Sequence, residues 1–122
     1  MRISLKELFI HRQYTDGPVC YYFDRKTYTI TSEENREDSQ NTPYVRYIPL
    51  FQIDEQILQM EFIQKYMPKG TWRKFQEGPF CFGAFIERAH EERAWWEFYK
   101  KAVYNQARQW CMENYIAFVD EA

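Results

Sequence analysis

A chain of 122 residues, 45% of them hydrophobic and 20% aromatic, carries enough apolar material for one core, and a single domain over residues 1–122 is expected. A formal net charge of -2 and a pI near 5.7 argue against a dedicated nucleic-acid binder, which has a basic face and a high pI, although a local basic patch remains compatible with them. The charged N-terminus, Met1 to Glu7, lacks the apolar run of a signal peptide, and no apolar stretch approaches the roughly twenty residues of a membrane span.

Ser4 is placed to cap a short helix, with Glu7 completing a capping box and Leu5, Leu8 and Phe9 on one face. Asp16-Gly17-Pro18 stops it. Val19–Phe23 and Thr27–Thr31 are rich in β-branched and aromatic residues and predict a hairpin turning at Asp24-Arg25-Lys26. Alternation puts Cys20 and Tyr22 on one face and Tyr21 and Phe23 on the other. Residues 32–43 are almost wholly polar and predict a mobile surface loop. Tyr44–Phe51 is a third strand, and Pro49 confines it to an edge or a strand end.

Asp54 caps a helix running to about Tyr66. Its core stripe is Leu58, Phe62, Ile63 and Tyr66, widened by Ile57 and Met60, and Pro68 and Gly70 end it. Thr71 is expected to cap a short turn with Trp72 and Phe75, and Gly78-Pro79 breaks the chain again. Phe80–Ile86 leads into a helical segment through Arg88. Glu92–Tyr115 is then the longest element. Trp95, Tyr99, Ala102, Val103, Gln106, Ala107, Trp110 and Cys111 recur at helical spacing, while Arg93, Glu97, Lys100, Lys101, Asn105 and Arg108 fall on the opposite face. The fold class is therefore α+β: a small antiparallel sheet of about three strands packed against several helices, with a long C-terminal helix.

Chemistry is sparsely signalled. His11 and His90 are the only histidines, and His90-Glu91-Glu92 lacks the second histidine of a zinc-protease helix, so neither a metal nor a cofactor is expected. Cys20, Cys81 and Cys111 are odd in number and form no C-x-x-C pair, which suits a reducing cytoplasm better than a disulfide scaffold. Cys111 lies on the apolar stripe and Cys81 between two phenylalanines, so both are expected to be structural thiols, and Cys20 is placed in a strand. Catalytic residues are not identified, and a carboxylate-based enzyme stays an alternative.

Two features point to binding. Phe80–Glu87 (F-C-F-G-A-F-I-E) echoes the first aromatic strand of an RNA recognition module, with Val45–Leu50 as a faint second, so bases would stack on Phe82 and Phe85. The motif lacks its leading basic residue, the long helix after it leaves no room for a fourth strand, and the chain is acidic overall, all of which weigh against that reading. The basic residues Arg73, Lys74, Arg88, Arg93, Lys100, Lys101 and Arg108 with Trp72 and Trp96 suggest instead a surface for a protein or peptide, because exposed Trp beside Arg is a hot-spot composition. Trp96, Arg93, Lys100, Trp72 and Arg73 are its candidate binding residues.

The chain resembles a family of small, uncharacterised bacterial proteins. The resemblance rests on Tyr22-Phe23-Asp24-Arg25-Lys26-Thr27, on Arg46-Tyr47-Ile48-Pro49 followed by Phe62-Ile63, on Gly78, Phe80 and Phe82, on Trp95 with Phe98, and on Trp110-Cys111 with Glu113-Asn114. Three departures stand out. Tyr28 occupies the place of a family glycine after the hairpin threonine, Cys81 and Gly83 replace expected arginines, and a glycine before the last helix is missing. If the hairpin turn needs positive φ, Tyr28 costs about 1 kcal/mol there. The resemblance implies a bacterial cytosolic protein and no activity. The residues together favour a non-enzymatic interaction module that binds a protein or peptide. Single-stranded nucleic-acid binding on an aromatic sheet face is the alternative, and a homodimer through an aromatic face is compatible with the first reading.

Overall fold

A computed structural model describes residues 1–35 and 46–120. Most of the polar loop expected over 32–43, and the start of the third strand at Tyr44, lie outside the described residues. The fold is α+β with a three-stranded antiparallel sheet and a long C-terminal helix. In chain order the elements are β1 (Ile3–Ser4), α1 (Leu5–Ile10), β2 (Gln13–Tyr14), β3 (Tyr21–Asp24), β4 (Thr29–Ser32), β5 (Tyr47–Pro49), β6 (Gln52–Ile53), α2 (Glu55–Tyr66), α3 (Thr71–Glu77), α4 (Phe82–Arg88), α5 (Glu92–Glu113) and β7 (Phe118–Val119). They fall into two compact units, Met1–Ile53 with Val103–Ala122, and Asp54–Ala102.

In the first unit, Ser4 caps α1 through its hydroxyl, which accepts from the Lys6 amide at 3.2 Å. The expected reciprocal bond from Glu7 does not form among the described residues; the Glu7 carboxylate lies instead 3.8 Å from His11. Leu5 and Leu8 are fully buried, and Phe9 stacks on Tyr104 at 5.1 Å. The hairpin of β3 and β4 is present, but each arm begins two residues later than its sequence pattern suggests. Asp24 belongs to the strand because its carboxylate is held in the interior. It accepts from Arg46 Nε at 2.9 Å and Arg46 Nη2 at 3.0 Å, and from the Lys26 amide at 2.9 Å. The turn is therefore Arg25 to Tyr28, closed by the Tyr28 amide on the Asp24 carbonyl at 2.7 Å.

Tyr28 does take a positive φ of 60° in that turn. Its ring meets Phe23 edge-on at 4.9 Å and its hydroxyl accepts from the Ala117 amide. Those contacts offset the left-handed backbone that a glycine would adopt without strain.

Strand β5 adds to β3 on the side away from β4, giving the order β4-β3-β5 and leaving Pro49 on an edge strand as expected. The expected third strand is divided, however. Residues 47–49 pair with β3, while Gln52–Ile53 pairs in parallel with β2. A second parallel pair joins β1 to β7. Neither pair was expected, since two-residue strands carry no periodicity. The buried Gln13 side chain ties this region together, donating to the Leu50 carbonyl at 2.9 Å and accepting from the Cys20 and Tyr21 amides at 3.0 and 3.2 Å.

The second half of α5 belongs to this unit. Val103, Ala107 and Cys111 are fully buried, and Trp110 packs edge-on against Phe23 at 6.2 Å and against Phe51 at 6.1 Å. The helix stops at Glu113 rather than Tyr115. Tyr115 turns left-handed at φ 57°, and the Ile116 amide bonds back to the Cys111 carbonyl at 2.8 Å. With the Tyr115 amide on the Met112 carbonyl, this is a Schellman close with tyrosine where glycine is usual.

In the second unit Asp54 caps α2 as expected, accepting from the Ile57 amide at 3.2 Å. Phe62, Ile63, Phe82 and Ile86 form its buried cluster, with Trp72, Phe75, Trp95 and Phe98 packed on it. Ile57 and Tyr66, expected in the core stripe of α2, are largely exposed. The covered face of the helix is narrower than the apolar one. Tyr66 keeps a tilted contact with Phe62 at 5.1 Å and an edge-on one with Phe98 at 5.9 Å. Gly70, at φ 90°, and not Thr71 precedes α3; the Thr71 hydroxyl donates to the Pro68 carbonyl at 2.6 Å. The segment resembling an RNA-binding strand is helical from Phe82 onward, and Phe82 is buried, so it offers no strand for base stacking. Among the described residues no helix is long and apolar enough to cross a membrane.

Two tests follow from these local geometries. Tyr115 is 90% exposed, so Tyr115→Gly relieves the left-handed strain and loses little packing; unfolding in urea should show a gain of about 0.5–1 kcal/mol. Tyr28→Gly should instead destabilise, because the ring and hydroxyl contacts go with the strain. The opposite ordering of the two variants would contradict this account.

Asp24 has its pKa held below the ordinary value of 3.8, chiefly by the Arg46 hydrogen bonds, which outweigh the opposing effect of burial. A carboxylate lowered by folding contributes stability above the unfolded pKa and loses it as pH falls toward the folded one. The advantage of the native chain over Asp24→Asn should therefore be full near about pH 6 and narrow below about pH 4. A constant advantage down to strongly acid pH would show that the carboxyl titrates alike in both states.

Candidate functional site

The segment from the end of α2 to α4 concentrates positive charge. Residues 64–90 contain five lysines and arginines against two glutamates, in a chain whose net charge is -2. Pro68 and Gly70 end α2 and turn the backbone into α3. Gly78 and Pro79 then stop α3, and the Gly78 amide bonds to the Phe75 carbonyl at 3.1 Å. A Cβ at position 78 would stand 3.1 Å from the Lys74 carbonyl oxygen, so this close return of the chain suits glycine. The return leaves Phe80 outside both helices and 42% exposed.

A groove of about 440 Å³ results between α3 and α4. Its apolar lining comes from Phe75, Pro79, Phe80, Phe85 and Ala89. Phe75 is the ring that connects groove and core, lying 5.1 Å from Phe85, 5.6 Å from Phe82 and 5.5 Å from Trp72. Two cations complete the lining, Lys74 and Arg88. The Arg88 guanidinium carbon sits 4.6 Å from the centre of the Phe80 ring, a cation–π contact that holds the exposed ring in place. Neither cation forms an ion pair with a carboxylate among the described residues. Apolar floor and uncompensated positive rim together suit a ligand with an apolar side chain and a negative charge.

The five candidate residues read from sequence fall into two groups. Trp72 and Arg73 lie on α3 and line a second groove of about 450 Å³, together with Ile63, Pro68 and Lys69. Trp72 is half-buried against the core cluster, and Arg73 is paired with Glu77 at 3.2 Å. Arg93, Trp96 and Lys100 share one exposed ridge of α5 at helical spacing. Trp96 is 48% exposed and stacks on Tyr99 at 5.9 Å, while Arg93 pairs with Glu97 at 3.3 Å. Exposed pairs of this kind are worth about 0.3–0.5 kcal/mol. They nevertheless give Arg73 and Arg93 a local counter-charge that Lys74 and Arg88 lack.

Sequence reasoning placed Lys74 and Arg88 in a basic patch but did not join them to Phe75, Phe80 and Phe85. The available signal was the Gly78-Pro79-Phe80 break, which leaves a ring outside a helix next to basic residues.

Cys111 is buried as expected, while Cys20 lies outside a strand and Cys81 outside the core. Cys20 and Cys81 are exposed, and Cys81 precedes the first turn of α4 rather than lying in a core. Cys111 is buried, and desolvation pushes its pKa to about 11, so it is a protonated, unreactive thiol. Among the described residues no three His, Cys, Asp or Glu side chains are grouped to hold a metal ion. A disulfide-exchange reagent should therefore titrate two thiols in the native protein and three in denaturant. Three fast-reacting thiols in the native state would contradict the burial of Cys111.

No family model, no curated protein and no solved structure matches the chain.

Proposed function

We propose that the protein is a small non-enzymatic interaction module that binds a protein or peptide segment through the aromatic and basic surface of α3 and α4. The observation that carries this reading is the groove lined by Phe75, Phe80 and Phe85 with Lys74 and Arg88 at its edge. Apolar pockets with few convergent polar groups serve recognition, and a ring exposed beside an arginine has the composition of a binding hot spot. The free thiols at Cys20 and Cys81 support a reducing, cytoplasmic setting. The ordered likeness to small uncharacterised bacterial proteins supports a bacterial origin and is silent on activity.

The test is selection from a random displayed-peptide library, followed by calorimetry on individual peptides. Binders should emerge with dissociation constants of about 1–100 μM, and Phe80→Ala should weaken them at least about tenfold with little change in melting temperature. If Trp96→Ala abolishes binding and Phe80→Ala does not, the site is the α5 ridge. If no peptide binds, the reading is wrong.

A further inference from the structure

The charge around the α3–α4 groove narrows what fits it. Resting on the reading just given, we propose that its occupant is an acidic peptide segment of a partner protein: one apolar anchor side chain in the groove, flanked by carboxylates that meet Lys74 and Arg88. Three observations point the same way. The groove lining has two cations and no carboxylate. Those cations have no ion-pair partner among the described residues, whereas Arg73 and Arg93 each have a glutamate. The surrounding stretch 64–90 keeps its five-to-two excess of positive charge although the whole chain is net negative.

The division of labour is physical. Phe75 and Phe85, 5.1 Å apart, present ring surface on which an aromatic or branched aliphatic side chain gains burial. Arg88 already uses its cation on the Phe80 ring, and its N–H groups make no hydrogen bond to another described residue. A guanidinium donates to a carboxylate in its own plane, so stacking on a ring and pairing with an acid are compatible. Lys74, one residue before Phe75 on α3, adds a second positive charge on a flexible stem. A nucleic acid would supply negative charge and flat rings as well. It is disfavoured because its phosphates repeat along a strand and need a basic track, while the uncompensated cations lining this groove are two.

The experiment uses a fluorescein-labelled decapeptide with a central Phe-Leu pair flanked by glutamates, and the same peptide flanked by glutamines or by lysines. Fluorescence anisotropy at low salt should give the glutamate peptide at least about tenfold tighter binding than the glutamine peptide, with the advantage shrinking as salt rises. The double substitution Lys74→Glu with Arg88→Glu should reverse the order, so that the lysine peptide binds best. That reversal is a gain of function that an unfolded variant cannot produce. Equal binding of the glutamate and glutamine peptides, both lost on Phe80→Ala, would overturn the acidic preference and leave the interaction-module reading standing. Absence of binding by these peptides and by every library-selected one would remove both. Displacement of the glutamate peptide by a ten-nucleotide oligothymidylate that binds more tightly would assign the groove to nucleic acid and overturn the proposal.

Discussion

The apolar stripe of α5 is the constraint that the other elements answer. The stripe carries two of the three indoles of the helix, and each of the two anchors the rings of a different unit. Trp110 meets Phe23 and Phe51, and around it Val103, Ala107 and Cys111 have no exposed surface. Trp95 meets Phe62, Phe82 and Tyr99 at 4.7 to 5.6 Å, with the edge-to-face geometry most marked on the two phenylalanines. Such pairs add about 0.5–1.5 kcal/mol each beyond the area they bury. In domains whose net stability is about 5–15 kcal/mol, a few of them decide whether the chain folds. The largest buried rings of both units are explained this way, and the rings left exposed are the ones that call for another use.

Among the described residues, three other than glycine occupy left-handed backbone: Tyr28, His90 and Tyr115. Each closes an element. Tyr28 ends the hairpin turn, and His90 and Tyr115 close α4 and α5, with the amides of Glu91 and Ile116 reaching back to Ile86 and Cys111. Only Tyr28 has packing that answers the strain. This contrast separates a side chain that the fold uses from one that it tolerates.

Much of the architecture was legible because long periods leave strong marks. The stripe of α5 ran from Trp95 to Cys111, and the Asp54 cap with Phe62 and Ile63 located α2. The two-residue strands were not legible, because no periodicity exists in two residues and their pairing is parallel and distant in sequence. Phe80–Glu87 carried two readings: its alternating phenylalanines echo a strand, the disfavoured one, yet burial of Phe82 and Ile86 four residues apart selects the helix that runs to Arg88. The candidate site was half legible. Lys74 and Arg88 stood out as basic residues, but they are fourteen positions apart, and only the chain return at Gly78-Pro79 brings them to one groove.

Residue-resolved native-state hydrogen exchange tests the role of α5 most directly. If its stripe is the core of each unit, the amides of Trp95 to Tyr99 and of Val103 to Cys111 should be among the slowest in their units, opening only when the unit unfolds. Exchange in those segments as fast as in the short turn at Glu33–Asn35 would mean that the helix is not the element around which the rings are ordered.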